Sequence, residues 1–290
     1  MSPLSRALPK LVIAPSVALS VVCVYGFILI TLALSFTESR LLPNWEWAGL
    51  ERYSDLFDND RWWTSIINLA IFGSLFVAIS MVLGLFMAIL LDQKIRAEGF
   101  LRAIYLYPMA LSFIITGTAW KWLLNPSQGL EKLMHDWGWV SFQFDWLVNT
   151  DYVIYCVVIV AVWQSVGFAM ALFLAGLRGV DASLLEAARI DGANTWTIYQ
   201  KVIIPTLRPV FLSVTLILAH IAIKSFDLVM ALTAGGPGTA SDVPAIFMYQ
   251  FSFNRGQLGL GAASAMMLFC TVMAIAVPLL YSESRRTAHG

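Results

Sequence analysis

Lys224 and Asp227 lie three positions apart inside the otherwise apolar run from Pro209 to Leu232. On a helix that spacing puts an ammonium and a carboxylate on one face, with Ser225 and His220 nearby. A charge at mid-membrane costs about 2.5–3.5 kcal/mol on insertion scales, so such groups turn toward the interior of a bundle. Two readings are open: a mutual ion pair that lowers this cost, or the wall of a wet cavity. A second group, Trp163, Gln164 and Gly167, stands in another long apolar run. An indole presents an apolar face with a polar tip, and an amide bonds hydroxyls, so the trio suits a carbohydrate surface. A tryptophan well inside a span serves plain helix packing equally well.

The third group is a loop, residues 178–208, in which Ser183 and Glu186 have the S-x-x-E spacing of a capping box. Leu184, Leu185, Ala187 and Ala188 favour helix, and Gly192 supplies its stop. Asn194 or Thr195 caps a second short helix through Tyr199 and Lys201, closed by Pro205, and Pro209 opens the next span. Two short helices tied between two spans make a rigid knob that can take force from a soluble partner; an ordinary solvated loop reads the same by spacing alone. Other chemistry is poorly provided for. No lysine follows a glycine, so no G-x-x-x-x-G-K-[ST] phosphate loop exists. His135, His220 and His289 are scattered. Cys23, Cys156 and Cys270 each sit in apolar stretches without a C-x-x-C pair, which suits packing.

The elements that position these groups follow from composition. Of 290 residues 59% are hydrophobic and only 12% charged, with mean hydropathy +0.76. A soluble domain of this length carries about 25% charge, so lipid is the solvent for much of this one. The zero formal net charge argues against a nucleic-acid partner. A crossing helix needs about 20 apolar residues. Six stretches qualify, roughly 11–36, 65–91, 103–123, 152–177, 209–232 and 262–281. In lipid the backbone must bond internally, so the expected fold is an all-α membrane protein with six transmembrane helices in a single domain over 1–290, plus the two-helix loop. The first stretch is too long for a signal-peptide core and stays as a span. Small residues every fourth position, Ser80, Gly84 and Ala88 and then Gly167, Ala171 and Ala175, predict close helix contacts.

Orientation follows the basic residues. Arg6, Lys10, Lys94, Arg96, Arg102, Arg178, Arg189, Lys201, Arg208, Arg285 and Arg286 fall on one side. Arg40, Arg52, Arg61, Lys132 and Arg255 fall on the other. Both termini and the 92–102 and 178–208 loops are therefore expected in the cytoplasm. The outer loops, rich in Trp and Asp and including Glu38, Glu46, Glu51, Asp55, Asp58 and Asp60, read as docking surface or as merely solvated loops. Lys121, between Trp120 and Trp122, reads as an interfacial anchor.

Glu186-Ala187-Ala188, then Gly192, then Val202-x-Ile204-Pro205 resembles the EAA coupling loop of binding-protein-dependent ABC importer permeases. Val202 and Ile204 stand where that family carries Ile and Leu. Arg102, Pro108, Trp120, Trp122, Pro126 and Gly129 resemble the pattern of sugar permeases around the third span, and Ala234-Gly235-Gly236-Pro237-Gly238 resembles the Gly-Gly-Pro segment of the larger, maltose-permease-like subunit. The resemblance implies a multi-pass inner-membrane permease, not an enzyme, paired with a second permease subunit, an ATPase dimer in the cytoplasm and a sugar-binding protein outside. It implies no cofactor in this chain, ATP and Mg being held by the ATPase partners. Glu186, Ala187, Ala188, Asp191, Gly192 and Pro205 would couple to the ATPase, with Glu186 solvent-poor at the docking cleft. Trp163, Gln164, Gly167, Met170, Ala222, Lys224, Ser225 and Asp227 would line the substrate path, for a monosaccharide of glucose-like type. The extra N-terminal helices and large outer domain of the maltose subunit have no counterpart here. The rival reading is an ion-coupled secondary solute transporter with Lys224 and Asp227 as its relay; a membrane enzyme would want clustered His, Asp or Cys, which the sequence lacks.

Overall fold

The computed structural model describes residues 3–93 and 96–287, and side chains within 13–93 and 96–278. Lys94, His289, and the side chains of Arg6, Lys10, Arg285, Arg286 and the outermost ends of the first and last expected spans lie outside the described residues. The chain is helical: α1 Pro3–Leu34, α2 Glu51–Phe57, α3 Asp60–Leu91, α4 Glu98–Leu106, α5 Phe113–Leu123, α6 Leu130–Asp136, α7 Val153–Arg178, α8 Ala182–Ile190, α9 Thr195–Ile198, α10 Ile204–Thr206, α11 Arg208–Ile223, α12 Phe226–Leu232, α13 Pro244–Tyr249 and α14 Leu258–Thr287. No strand is found among the described residues, only an isolated bridge between Thr37 and Trp47.

Among the described residues four helices are long and apolar enough to cross a membrane: Ile13–Leu34, Asp60–Leu91, Val153–Arg178 and Leu258–Pro278. Two further candidates are bent pairs, Glu98–Ala110 with Phe113–Leu123 at 98° and Thr195–Thr206 with Arg208–Ile223 at 63°. The stretches 103–123 and 209–232, expected as spans, are each interrupted. In the first, Pro108 sits in a 3₁₀ turn over Tyr107–Ala110, Leu111 turns extended, and Ser112 caps a new helix by accepting from the Ile114 amide at 3.3 Å. In the second, the helix stops at Ile223 and restarts at Phe226.

Contacts divide the chain into two compact units, residues 1–62 with 247–270, and 63–246 with 271–290. The second unit is organised around α7. Two thirds of its most apolar window is buried, whereas none of α1's is. Val157, Ala161, Met170 and Phe173 on α7 meet Phe72 and Phe76 of α3, Leu218 of α11 and Leu228 of α12 in one apolar cluster. Close approach is bought by small residues. A Cβ at Gly84 would lie 2.7 Å from the Ala169 Cβ, and one at Gly117 2.8 Å from that of Ala231. Ser80, Gly84 and Ala88 are all buried as expected, but on α7 the tight positions are Gly167 and Ala169. Ala171 is half-buried and Ala175 exposed, because α4 and α3 approach α7 from different sides at those two tight residues.

Asn68 of α3 pins the returning segment after α12. Its amide donates to the carbonyls of Ala240 at 3.0 Å and Asp242 at 2.9 Å, all but sealed from solvent. Asn68→Ala strands two buried acceptors, and is expected to lower stability by about 2 kcal/mol, read as a lower unfolding midpoint in detergent.

The first unit holds the segments around Glu38–Arg52 and Phe251–Leu260. Trp62 meets Phe247 edge-on at 5.3 Å, and Phe247 stacks on Phe251 at 4.1 Å. Arg255 lies over the Phe251 ring at 4.5 Å.

Candidate translocation and coupling sites

Both helix breaks of the second unit face α7. Gln164 of α7 donates to the Leu111 carbonyl at 2.8 Å, satisfying a backbone group freed by the α4–α5 break. It lines a cavity of about 130 Å³ with Leu111, Phe113, Ser165 and Ile221. Phe113 and Ile221 also line a smaller cavity of about 20 Å³, bounded by Lys224, Ser225 and Asp227 at the α11–α12 break. Two buried polar atoms of these linings have no hydrogen-bond partner among the described residues, Gln164 Oε1 and Ser225 Oγ. Orphans of this kind are rare in a folded interior, and irregular backbone at membrane depth is tolerated where it is buried in protein or lines a water-filled cavity. The arrangement offers hydroxyl and amide acceptors to a hydroxyl-rich solute.

Lys224 and Asp227 are exposed and do not form an ion pair with each other among the described residues, since the break at Lys224–Ser225 removes the shared helical face that spacing predicted. Trp163 is 39% exposed and sets one edge against Trp120 at 5.5 Å. Gly167 lies buried beneath the Tyr105 carbonyl, a packing position. Of the expected path residues, Trp163, Gly167, Met170 and Ala222 line neither cavity. Met170 is enclosed in the apolar core, and Ala222 borders an apolar groove of about 330 Å³ with Leu69, Gly73 and Ile275. Their register on α7 and α11 points them into packing.

The 178–208 loop forms two short helices. The N-cap of α8 is Asp181, not Ser183: its carboxylate accepts from the Ser183 amide at 2.9 Å, so Ser183 is already inside the helix. That backbone bond, with the Ser183 hydroxyl, holds the Asp181 carboxyl below the usual carboxylate range. The cap therefore stays charged above that range and is lost as pH falls through the lowered value. Gly192, at φ +78°, ends α8 with its amide donating to Arg189 O at 3.0 Å. Asn194 caps α9 through the Thr197 amide at 2.8 Å. Beyond it the helix does not stop at Pro205. A π turn over Tyr199–Ile203 absorbs the missing proline donor, Pro205 lies in α10, and the chain bends at Leu207.

Glu186, Ala187, Asp191 and Gly192 are exposed in the chain by itself. Around them the loop presents apolar side chains that spacing did not single out: Ile190 is 86% exposed and Trp196 70%. The loop is anchored by ion pairs. Arg178 at the end of α7 reaches Glu98 at 2.8 Å and Asp92 at 3.8 Å, and Arg102 reaches Glu98 at 3.6 Å. The 92–102 and 178–208 segments therefore share a face, as their charges predicted.

Broken helices around two small, largely apolar cavities, with an anchored two-helix knob, define a membrane permease component. The chain belongs to the family of binding-protein-dependent transport system inner membrane components, whose model matches residues 80–286. A probable ABC transporter permease protein of Pyrococcus horikoshii is 37% identical over 273 residues, 93% of this chain and 94% of that one. The xylose/arabinose import permease protein XacH of Haloferax volcanii is 33% identical over 276 residues, 94% of this chain and 86% of that one. A chain from the crystal structure of a bacterial alginate ABC transporter, in complex with an alginate pentasaccharide-bound periplasmic protein, aligns with TM-score 0.83 over 97% of this chain and 95% of that one; at 18% identity the likeness is one of fold. Family membership does not favour the ion-coupled secondary transporter.

Proposed function

We propose that this chain is one permease subunit of an ATP-driven carbohydrate importer, spanning the membrane six times with both termini and the 178–208 loop in the cytoplasm. The loop carries the reading: a doubly capped knob with exposed Ile190 and Trp196 beside Glu186 is a surface built for a soluble partner. That partner is an ATPase dimer that binds ATP and Mg. Its closure pushes Glu186, Ala187, Ala188, Asp191 and Gly192, and the Pro205 segment passes the motion through the Leu207 bend into α11. A second permease subunit completes the path, and a binding protein outside delivers the solute.

The path in this chain runs along Trp163, Gln164, Lys224, Ser225 and Asp227, with Gly167 setting the helix spacing behind them. A monosaccharide of glucose-like type fits these few polar groups better than a long oligosaccharide.

Reconstitution in vesicles tests the whole. With a partner permease, ATPase and sugar-loaded binding protein, uptake is expected to need ATP and to survive an uncoupler. Gln164→Leu, which removes the cavity amide, is expected to reduce uptake about tenfold. Uptake by the single chain alone, or its collapse with an uncoupler, overturns the reading.

A further inference from the structure

Within the second unit, α3, α11 and the later part of α14 leave the groove of about 330 Å³ that Ala222 borders. Its wall on α3 follows one helical face from Ile66 through Leu69 and Gly73 to Val77, inside a helix apolar enough to cross the membrane. Ala222 of α11 and Ile275 of α14 face that wall. The one polar side chain on it, Ser74, donates to the Ile71 carbonyl of its own helix at 3.1 Å, so the lining stays apolar. Packing leaves this room unfilled. A Cβ at Gly73 would meet only the Ala222 Cβ, at 3.7 Å, which is ordinary contact. Close-packed interiors hold few voids larger than a water, so an apolar trough of this size at membrane depth takes up hydrocarbon.

The dimensions select the occupant. Ile66 to Val77 is eleven steps of helix, about 16 Å, or half of a roughly 30 Å hydrocarbon core, the depth that one leaflet's chains fill. The groove's volume spread over that length is too narrow to seat another helix, about 10–12 Å across with its side chains, and suits a single extended hydrocarbon chain. Its eleven lining residues also fall short of the roughly 20–30 that each side of a stable protein interface supplies. The rim carries exposed Ile67 and Ile275, so the groove is continuous with the apolar surface that lipid covers.

We infer that this groove is a binding site for one acyl chain of a membrane phospholipid, held as part of the structure rather than exchanging like the lipid around α1. It reaches Ala222 and Ile223, the last turn of α11 before the break at Lys224–Ser225, so the bound chain braces that break. The site depends on the membrane embedding of the family and not on which solute is carried.

The test places the full chain, and separately the complete transporter, in nanodiscs containing a phosphatidylcholine with a photoactivatable diazirine midway along one acyl chain. Cross-linked positions are read by peptide mass spectrometry. Labelling of residues 66–77 is expected to exceed, residue for residue, labelling of 13–34 on α1, whose apolar window is unburied and reports the bulk lipid. Gly73→Leu and Ala70→Leu, which fill the trough with a branched side chain, are each expected to cut the groove labelling at least about fivefold and leave α1 unchanged. Ala70 is exposed at the rim, so its variant serves if Gly73→Leu fails to fold. Groove labelling no greater than that of α1, or unmoved by the substitutions, overturns the site. Labelling present in the chain alone but lost in the complete transporter also overturns it, because the second permease subunit then covers the groove. Uptake that needs no ATP overturns the proposed function and leaves the acyl-chain site standing.

Discussion

Replacing Glu186 by lysine, or Gly192 by aspartate, is expected to cut ATP-dependent uptake by at least about tenfold while the chain still reaches the membrane in wild-type amounts. A mispaired charge enclosed at an interface costs several kcal/mol, and either change puts one on the surface offered to the ATPase. The folded chain itself has little reason to object. Glu186 is exposed, and a Cβ at Gly192 would meet nothing within 4 Å. The remaining cost at Gly192 is its φ of +78°, which asparagine and aspartate tolerate better than other residues. Gly192→Asn is therefore the control: it keeps the turn without the charge, and uptake is expected to persist. Uptake by liposomes, alongside ATP hydrolysis by the same preparation, reads the uncoupling directly. Equal uptake in Glu186→Lys, Gly192→Asp and wild type would remove the coupling role.

Gly167→Ala is expected to be the most damaging single methyl in the molecule. The added Cβ would collide with the Tyr105 carbonyl, a backbone atom that cannot swing aside as a side chain does. Overpacking of this kind costs about 3 kcal/mol, so the unfolding midpoint in detergent is expected to fall by several degrees. Gly26→Ala on α1, where nothing lies within 4 Å, is expected to leave the midpoint unchanged. If both substitutions behaved alike, the close approach of α4 to α7 at Gly167 would be refuted.

How far the sequence carried the structure can be judged at particular residues. Long apolar runs made the helices plain, and the basic residues correctly grouped 92–102 with 178–208, because Arg178 does reach Glu98. The breaks were harder to see. Pro108 and Ser112 are the visible signals for the first, but an apolar run through Leu111 looks continuous until tertiary contacts bend it. The second, at Lys224–Ser225, has no glycine or proline to announce it. The α8 cap slipped by two residues because Asp181 and Ser183 both make good caps, and spacing to Glu186 favoured the one not used. Met170 and Ala222 were read as path residues by likeness to a relative, yet their faces are set by packing across α7 and α11, which a single sequence does not display. Ile190 and Trp196 were legible as hydrophobic but not as exposed, since an apolar side chain in a helical loop is ordinarily buried.

Those last two side chains also bear on how long the subunit survives. If the 178–208 loop stands in the cytoplasm as proposed, an exposed tryptophan and isoleucine there invite chaperones and proteases until a partner covers them. Partner binding stabilises by mass action, about 2.7 kcal/mol at a hundredfold excess over the dissociation constant. On the proposed reading the cell's stock of this chain is thus metered by ATPase supply, and surplus copies are cleared for want of company.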